Sequence, residues 1–255
     1  MSKKVYLAFS ADIIHTGHIN IISKAAEYGD VIIGLLTDQA IATYKRMPLL
    51  DYEERKMILQ NIKGVSEVVE QSTLDYTGNL LKYKPDYVVH GDDWQSGFQK
   101  PVRDEVVSEL AVYGGKLVEF PYSSGQKYKD LEARTKTELS MPHVRRGRLK
   151  RSIELKELIT AMEAHDGLTG LIVENTVIHD KGEAHQFDAM WVSSLCDSTA
   201  KGKPDIELVD MTSRLRTIED ITEVTTKPII FDGDTGAKTE HFVYTVRSLE
   251  RLGVS

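Results

Sequence analysis

The chain has 255 residues, 41% of them hydrophobic and 28% charged, with a formal net charge of −7 and a single cysteine. One cysteine excludes a disulfide framework and fits a reducing cytoplasm. The longest apolar runs, such as 31–36, fall far short of the roughly 20 residues that span a bilayer, so no membrane partner is expected.

The first 126 residues alternate strand and helix signals. Val5–Phe9 reads as a buried strand, and His18–Tyr28 as a helix with a stripe of Ile and Ala, ended by Gly29. Val31–Leu36 is the next strand, and Tyr52–Ile62 a helix with Asp51 as N-cap. Strand 65–69, helix 74–83, strand 87–90, helix 102–113 and strand 116–120 follow. This alternation predicts a parallel sheet covered on both faces, with ligands at the carboxyl ends of the strands.

The second block opens with a predicted helix over 152–165. Residues 171–178 and 188–192 are strand-like, 206–215 helical, 228–231 a buried strand, and 239–252 a helix. Between the blocks the charge changes sign. Residues 1–126 carry a balance of −4, residues 127–151 one of +6, and residues 152–255 one of −9. Few apolar residues in 127–151 could bury a core, so it is expected to be a basic linker. Its lack of interleaved aromatics and its acidic flanks argue against a nucleic-acid partner.

Two sets of residues carry chemistry. His15-Thr16-Gly17-His18 lies between the first strand and the first helix, where unpaired N–H groups and the helix dipole favour an anion. With Ser10 and Asp12 before it, Asp38 after the second strand, Arg55 on the next helix, and Gly91-Asp92-Asp93-Trp94 after a later strand, this set resembles the cytidylyltransferase family over about residues 4–126. The resemblance implies a Rossmann-like nucleotidyltransferase domain with CTP as substrate and Mg²⁺ accompanying the triphosphate. His15, His18 and Lys45 would act on the phosphates. Ser10, Asp12, Gly17, Asp38, Arg55, Gly91, Asp92, Asp93, Trp94, Ser123 and Gly125 would shape the nucleotide site. The sequence departs from the family where Phe9 replaces a glycine before the histidines. It departs again at 122–129, where an arginine and phosphate-binding hydroxyls are lost while Lys127 and Lys129 add charge.

Asp232-Gly233-Asp234 follows the buried strand at 228–231, which puts two carboxylates at a strand's carboxyl end. Together with 162–169, 190–195 and Gly202-Lys203-Pro204-Asp205, it resembles the opening of phosphoenolpyruvate mutase, with an insertion near 174–186. The resemblance implies interconversion of phosphoenolpyruvate and phosphonopyruvate, with Trp191, Ser193 and Leu195 lining the substrate pocket. Asp205 would be the nucleophile, and Asp232 and Asp234 would hold Mg²⁺, directly or through water.

The expected fold is therefore α/β: a Rossmann-like parallel-sheet domain over 1–126, the linker 127–151, and an incomplete (β/α) barrel segment over 152–255. A full barrel has eight units where this segment supplies two, so the second domain is expected to be truncated and to lack mutase activity by itself. The chemistry expected is cytidylyl transfer to a phosphonate or phosphate-bearing alcohol or amine within phosphonate biosynthesis. A non-catalytic nucleotide-binding module and a lyase acting on a 2-oxo acid are the alternatives. By the same resemblance a homo-oligomer is expected.

Overall fold

A parallel sheet that buries both faces organises the first 120 residues. The computed structural model describes residues 2–43, 47–97, 99–121, 126–180, 183–236 and 238–255. Packing divides the chain into two units, Met1–Tyr128 with His179–His185, and Lys129–Ile178 with Gln186–Ser255.

In the first unit, β1 (Lys4–Phe9), β2 (Asp30–Leu36), β3 (Val65–Gln71), β4 (Tyr87–Gly91) and β5 (Lys116–Phe120) form one sheet in the order β3-β2-β1-β4-β5. Every neighbouring pair is parallel. The helices are α1 (Thr16–Ala26), α2 (Asp38–Ala42), α3 (Tyr52–Gln60), α4 (Thr77–Tyr83) and α5 (Lys100–Tyr113). Alternation along β1 sends Val5 and Leu7 to one face, with Ile22 and Ala25 of α1 and Leu59 of α3. It sends Tyr6 to the other, with Leu80 of α4 and Val106 and Leu110 of α5. That double burial explains the near-continuous apolar strands. The order also reverses direction between β1 and β4, the topological switch point where such sheets take ligands.

Most expected elements of this unit form, with shifted ends. Helix α1 starts at Thr16 because His15 caps it. Asp51 caps α3 and completes a capping box with Glu54. The five-residue α2 gave no periodic signal, and Thr37 Oγ1 caps it by accepting from the N–H of Ala40.

A buried polar cluster sits inside the α4/α5 face. The Tyr6 hydroxyl donates to Gln71 Oε1 at 2.5 Å and accepts from Asn79 Nδ2 at 2.7 Å. Burial pushes the Tyr6 phenol well above its ordinary value. The ring lies over Gly34 of β2, where an added Cβ would stand 1.7 Å from the Tyr6 oxygen.

The second unit contains the larger differences from expectation. The basic segment is helical through α6 (Gln126–Ser140) and α7 (Pro142–Leu155). Helix α7 is held by a polar anchor, which hydrophobic periodicity does not reveal. Fully buried Arg145 donates to the carbonyls of Thr222, Thr225 and Lys227 and to Thr225 Oγ1. The helix expected over 152–165 therefore ends at Leu155, and its tail is β6 (Ala161–Glu163). The strand expected over 171–178 is mainly α8 (Gly167–Asn175), started by an Asp166–Thr169 capping box. A short apolar run does not by itself separate a buried helix from a strand.

Strands β7 (Val177–Asp180) and β8 (Glu183–Gln186) form a two-stranded sheet. Then come β9 (Ala189–Val192), α9 (Ser194–Ala200), α10 (Met211–Val224), β10 (Ile229–Phe231) and α11 (Phe242–Leu252). Helix α10 starts five residues later than expected because Asp210 caps it, accepting from Ser213 N–H. The parallel order is β10-β9-β6, and Val254 bridges to Ile229 in the same sense. Met190, Val192 and Ile229 pack against Val173 of α8 and Ile218 and Ile221 of α10. No helix among the described residues is long and apolar enough to cross a membrane.

Gly34→Ala should be among the most damaging single-methyl additions in the first unit. The methyl must displace the Tyr6 ring and break its bonds to Gln71 and Asn79, so urea denaturation should show a loss of about 1–3 kcal/mol. Wild-type stability in this variant would show that the ring does not need the space.

Candidate functional site

At the β1–α1 loop the two histidines form the helix cap themselves. His15 Nδ1 accepts from Gly17 N–H at 3.0 Å, and His18 Nδ1 accepts from His15 N–H at 3.3 Å. Both Nδ1 atoms are thus acceptors, so each neutral imidazole carries its proton on Nε2. The ring centroids lie 4.1 Å apart, and His18 packs edge-on against Phe9 at 5.2 Å. Partial burial pushes the His15 pKa below its ordinary value, which favours the neutral ring. A Cβ on Gly17 would lie 2.7 Å from His15 Cε1, so the close fold-back of that ring depends on glycine.

The strand ends around this loop are tied together by Arg55. Its fully buried guanidinium donates to Ser10 O at 2.5 Å, Leu36 O at 3.0 Å and Asp38 Oδ1 at 2.5 Å. The side chain expected to contact nucleotide is therefore engaged with the protein and fixes the loops after β1 and β2. Asp12 accepts from Leu49 N–H at 2.6 Å, and Ala11 beside it takes a positive φ of 51°. That tight bend turns the chain from β1 toward the histidines.

On the other side of the switch point, Gly91 ends β4 and a 3₁₀ turn carries Asp92–Trp94. Asp92 and Asp93 are exposed, whereas Trp94 is only 1% exposed and packs in the core. Its indole N–H donates to Glu119 Oε1 at 2.7 Å, and Arg103 grips both Glu119 oxygens at 2.8 and 2.9 Å. His90 stacks on Trp94, with centroids 3.8 Å apart and planes 13° from parallel. Its Nδ1 lies 3.7 Å from Asp93 Oδ1. Burial pushes the His90 pKa down, with Asp93 and Glu119 opposing. The structure thus brings His15, His18, Ser10, Asp12, Asp38, Arg55 and the 91–94 turn to one end of the sheet. Lys45, Ser123 and Gly125 lie outside the described residues.

Sequence reasoning missed Arg103 and Glu119. His90 adjoins the motif and reads as strand-end packing. Arg103 and Glu119 occupy separate elements and carry no local signal.

In the second unit the strand ends collect carboxylates. Ser194 Oγ lies 3.1 Å from Asp232 Oδ2 and 3.4 Å from Asp205 Oδ2. Burial acts to raise the Asp232 carboxyl. The N–H groups of Asp234 and Ser194 and the Ser194 hydroxyl outweigh it and hold the group below the usual carboxylate value. Asp234 takes φ 51° and is gripped by buried Arg214 at 2.6 Å. Arg214 also lies 3.7 Å from buried Asp197 and over the Phe231 ring at 4.2 Å. Of the expected Asp232–Asp234 metal pair, Asp234 is paired with Arg214 in this structure. Asp232 and Asp205 instead share one hydroxyl.

Among the described residues no three His, Cys, Asp or Glu side chains converge on a metal position. One or two carboxylates completed by water and substrate oxygens is nevertheless the usual magnesium arrangement, and Asp232 with Asp205 fits it. Trp191 and Leu195 are exposed at 38% and 56%, beside Ser193, whose hydroxyl caps α9. Ser194 was missed because the neighbouring Ser193 carried the expected motif role.

Comparison with known proteins follows the same division. The family described as Cytidylyltransferase-like matches residues 10–133, and that described as Phosphoenolpyruvate phosphomutase matches residues 149–255. The glycerol-3-phosphate cytidylyltransferase of Bacillus subtilis is 31% identical over 98 residues, 38% of this chain and 76% of that protein. The ethanolamine-phosphate cytidylyltransferase of Arabidopsis thaliana is 31% identical over 96 residues, 35% of this chain and 23% of that protein. A solved phosphoenolpyruvate phosphomutase from Streptomyces platensis aligns with a TM-score of 0.36 and 23% identity over 42% of this chain and 35% of its own. The chain thus spans about a quarter of the Arabidopsis relative and about a third of the Streptomyces one.

The Glu119 environment predicts an acid-sensitive contribution to stability. Hydrogen bonds from Arg103 are the main cause holding its carboxyl below the ordinary 4.5, with Trp94 adding to them against burial. A depressed carboxyl pKa contributes stability that is present above the ordinary value and lost as pH falls through the folded value. The stability deficit of Arg103→Ala relative to wild type should therefore shrink between about pH 6 and about pH 3 in urea titrations. A deficit independent of pH would rule out this origin.

Proposed function

We propose a function on one premise: the chain belongs to the cytidylyltransferase family through its first unit, and a phosphoenolpyruvate phosphomutase-like segment follows it. The first unit transfers the cytidylyl group of CTP to a small acceptor bearing a phosphate or phosphonate. The observation that carries this reading is the histidine pair at the start of α1. With both Nδ1 atoms committed to backbone N–H groups, both rings present Nε2–H as the donor at a helix N-terminus beside the switch point.

In this reading an acceptor oxygen attacks the α-phosphorus of CTP. A new P–O bond forms as the bond to pyrophosphate breaks. His15 and His18 stabilise the charge that develops on the α-phosphate oxygens, and Lys45 holds the leaving phosphates. Arg55 acts through the loops after β1 and β2, while the 91–94 turn borders the nucleoside. Catalysis is then mostly positioning and charge stabilisation. Magnesium bound with the triphosphate would supply further charge neutralisation.

The second unit, in the same reading, takes a phosphoenolpyruvate- or phosphonopyruvate-type ligand at the ends of β6, β9 and β10. Asp205 serves as the phosphoryl-accepting carboxylate, Asp232 as a magnesium ligand, and Trp191, Ser193 and Leu195 as pocket walls. Joining the two chemistries suits phosphonate biosynthesis, because a phosphonate made through a C–P bond can be activated as its CMP ester. The acceptor in the first unit would then be a phosphonate such as 2-aminoethylphosphonate. The single cysteine fits action in the cytoplasm.

Pyrophosphate release from CTP tests the first unit, with 2-aminoethylphosphonate, ethanolamine phosphate and glycerol 3-phosphate as separate acceptors. Release is expected with at least one of them, fastest with the phosphonate, and His18→Ala should lower kcat on the order of 10²–10³-fold. CTP binding by calorimetry without release for any acceptor would favour a non-catalytic nucleotide-binding module and sink the transferase reading.

A further inference from the structure

The second unit places one buried hydroxyl between two carboxylates, which hydrogen-bond chemistry alone leaves incompletely satisfied. Ser194 is 5% exposed, and its Oγ lies 3.1 Å from Asp232 Oδ2 and 3.4 Å from Asp205 Oδ2. A hydroxyl has one hydrogen, and both neighbours are acceptors when ionised. Both distances lie beyond the usual O–H···O range, the second further than the first. The hydrogen therefore satisfies Asp232 in part and leaves Asp205 facing a lone pair. Two carboxylates gathered about one oxygen repel each other, and a cation among them relieves that repulsion.

Asp232 is met at both of its oxygens. Its Oδ1 accepts from Asp234 N–H at 3.0 Å, and its Oδ2 also receives Ser194 N–H at 3.4 Å. Asp234 is drawn away to Arg214. The hydroxyl sits on the first residue of α9, directly after the capping Ser193, so its position is set by helix geometry.

We propose that Ser194 is a positioning residue for cation binding at these strand ends, orienting Asp232 through its single hydroxyl. This rests on the reading above that Asp232 ligates a divalent cation there. A hydrogen bond to a ligating carboxylate fixes its orientation, and loss of such outer partners typically costs 10–100-fold in metal affinity. Ser194→Ala removes the hydroxyl, keeps the backbone N–H, and leaves the Ser193 cap in place. The fold should therefore tolerate it.

The test uses the full 255-residue chain with Mn²⁺ in place of Mg²⁺, counting free Mn²⁺ by electron paramagnetic resonance. Four proteins are compared: wild type, Ser194→Ala, Ser194→Thr and Asp232→Asn. Ser194→Ala should weaken Mn²⁺ binding about 10- to 100-fold, and Ser194→Thr should restore it to within about threefold. Without metal, the melting temperature of Ser194→Ala should stay within about 3 °C of wild type. A merely structural role would move the melting temperature and would not be rescued in metal affinity by threonine. If Asp232→Asn loses Mn²⁺ while Ser194→Ala binds as tightly as wild type, the role of Ser194 is overturned and the cation reading stands. If Asp232→Asn binds as tightly as wild type, the cation reading falls and this inference falls with it.

Discussion

Arg55 is fully buried, yet its guanidinium finds partners on three segments: Ser10 after β1, Leu36 at the end of β2, and Asp38 at the start of α2. Burying a charge is tolerable only where an opposite charge and hydrogen bonds meet it. The Asp38 carboxylate and two strand-end carbonyls meet that condition here. The consequence is geometric. The β1–α1 loop with its two histidines and the β2–α2 turn cannot move independently, because one planar, rigid fork spans both. The cap that orients the imidazoles is built on a loop whose entry Arg55 holds.

The second unit solves a similar problem with different residues. Arg214 is buried between Asp197 and Asp234, and its guanidinium lies over Phe231. Asp197 is shared further with Lys201 and Thr217. In each unit the parallel strands carry a dry apolar core, and a buried arginine sits where the strands give way to loops. The sheet supplies rigidity, and the arginine transmits it to polar residues in the loops. That division is why functional groups gather at strand ends rather than on strand faces.

How far the sequence revealed this depends on the kind of interaction. The strands β1, β2 and β4 were legible because burial on both faces leaves near-continuous apolar runs. The cap at Asp51 was legible because capping is local. Helix α7 was not, since Arg145 anchors it to backbone carbonyls some 80 positions away, and a basic residue in a basic segment resembles solvated charge. The apolar run 171–178 suggested a strand, although its N-terminal Asp166–Thr169 box starts a helix. Trp94 was expected to shape the nucleotide site, and the structure packs it in the core with Glu119 as partner.

By itself the sequence determined the parallel α/β character of the first unit, the break in character after residue 126, and the motifs that set polar residues at the strand ends of each part. These follow from periodicity, local capping and motif order, which need only neighbouring positions. Tertiary structure alone decided which polar groups meet. It joined Arg55 to the loops after β1 and β2, paired Asp234 with Arg214, and placed Ser194 between Asp205 and Asp232. Such pairings depend on distances between residues far apart in the chain, and a carboxylate's role is set by whichever opposite charge or hydroxyl the fold brings within about 3 Å.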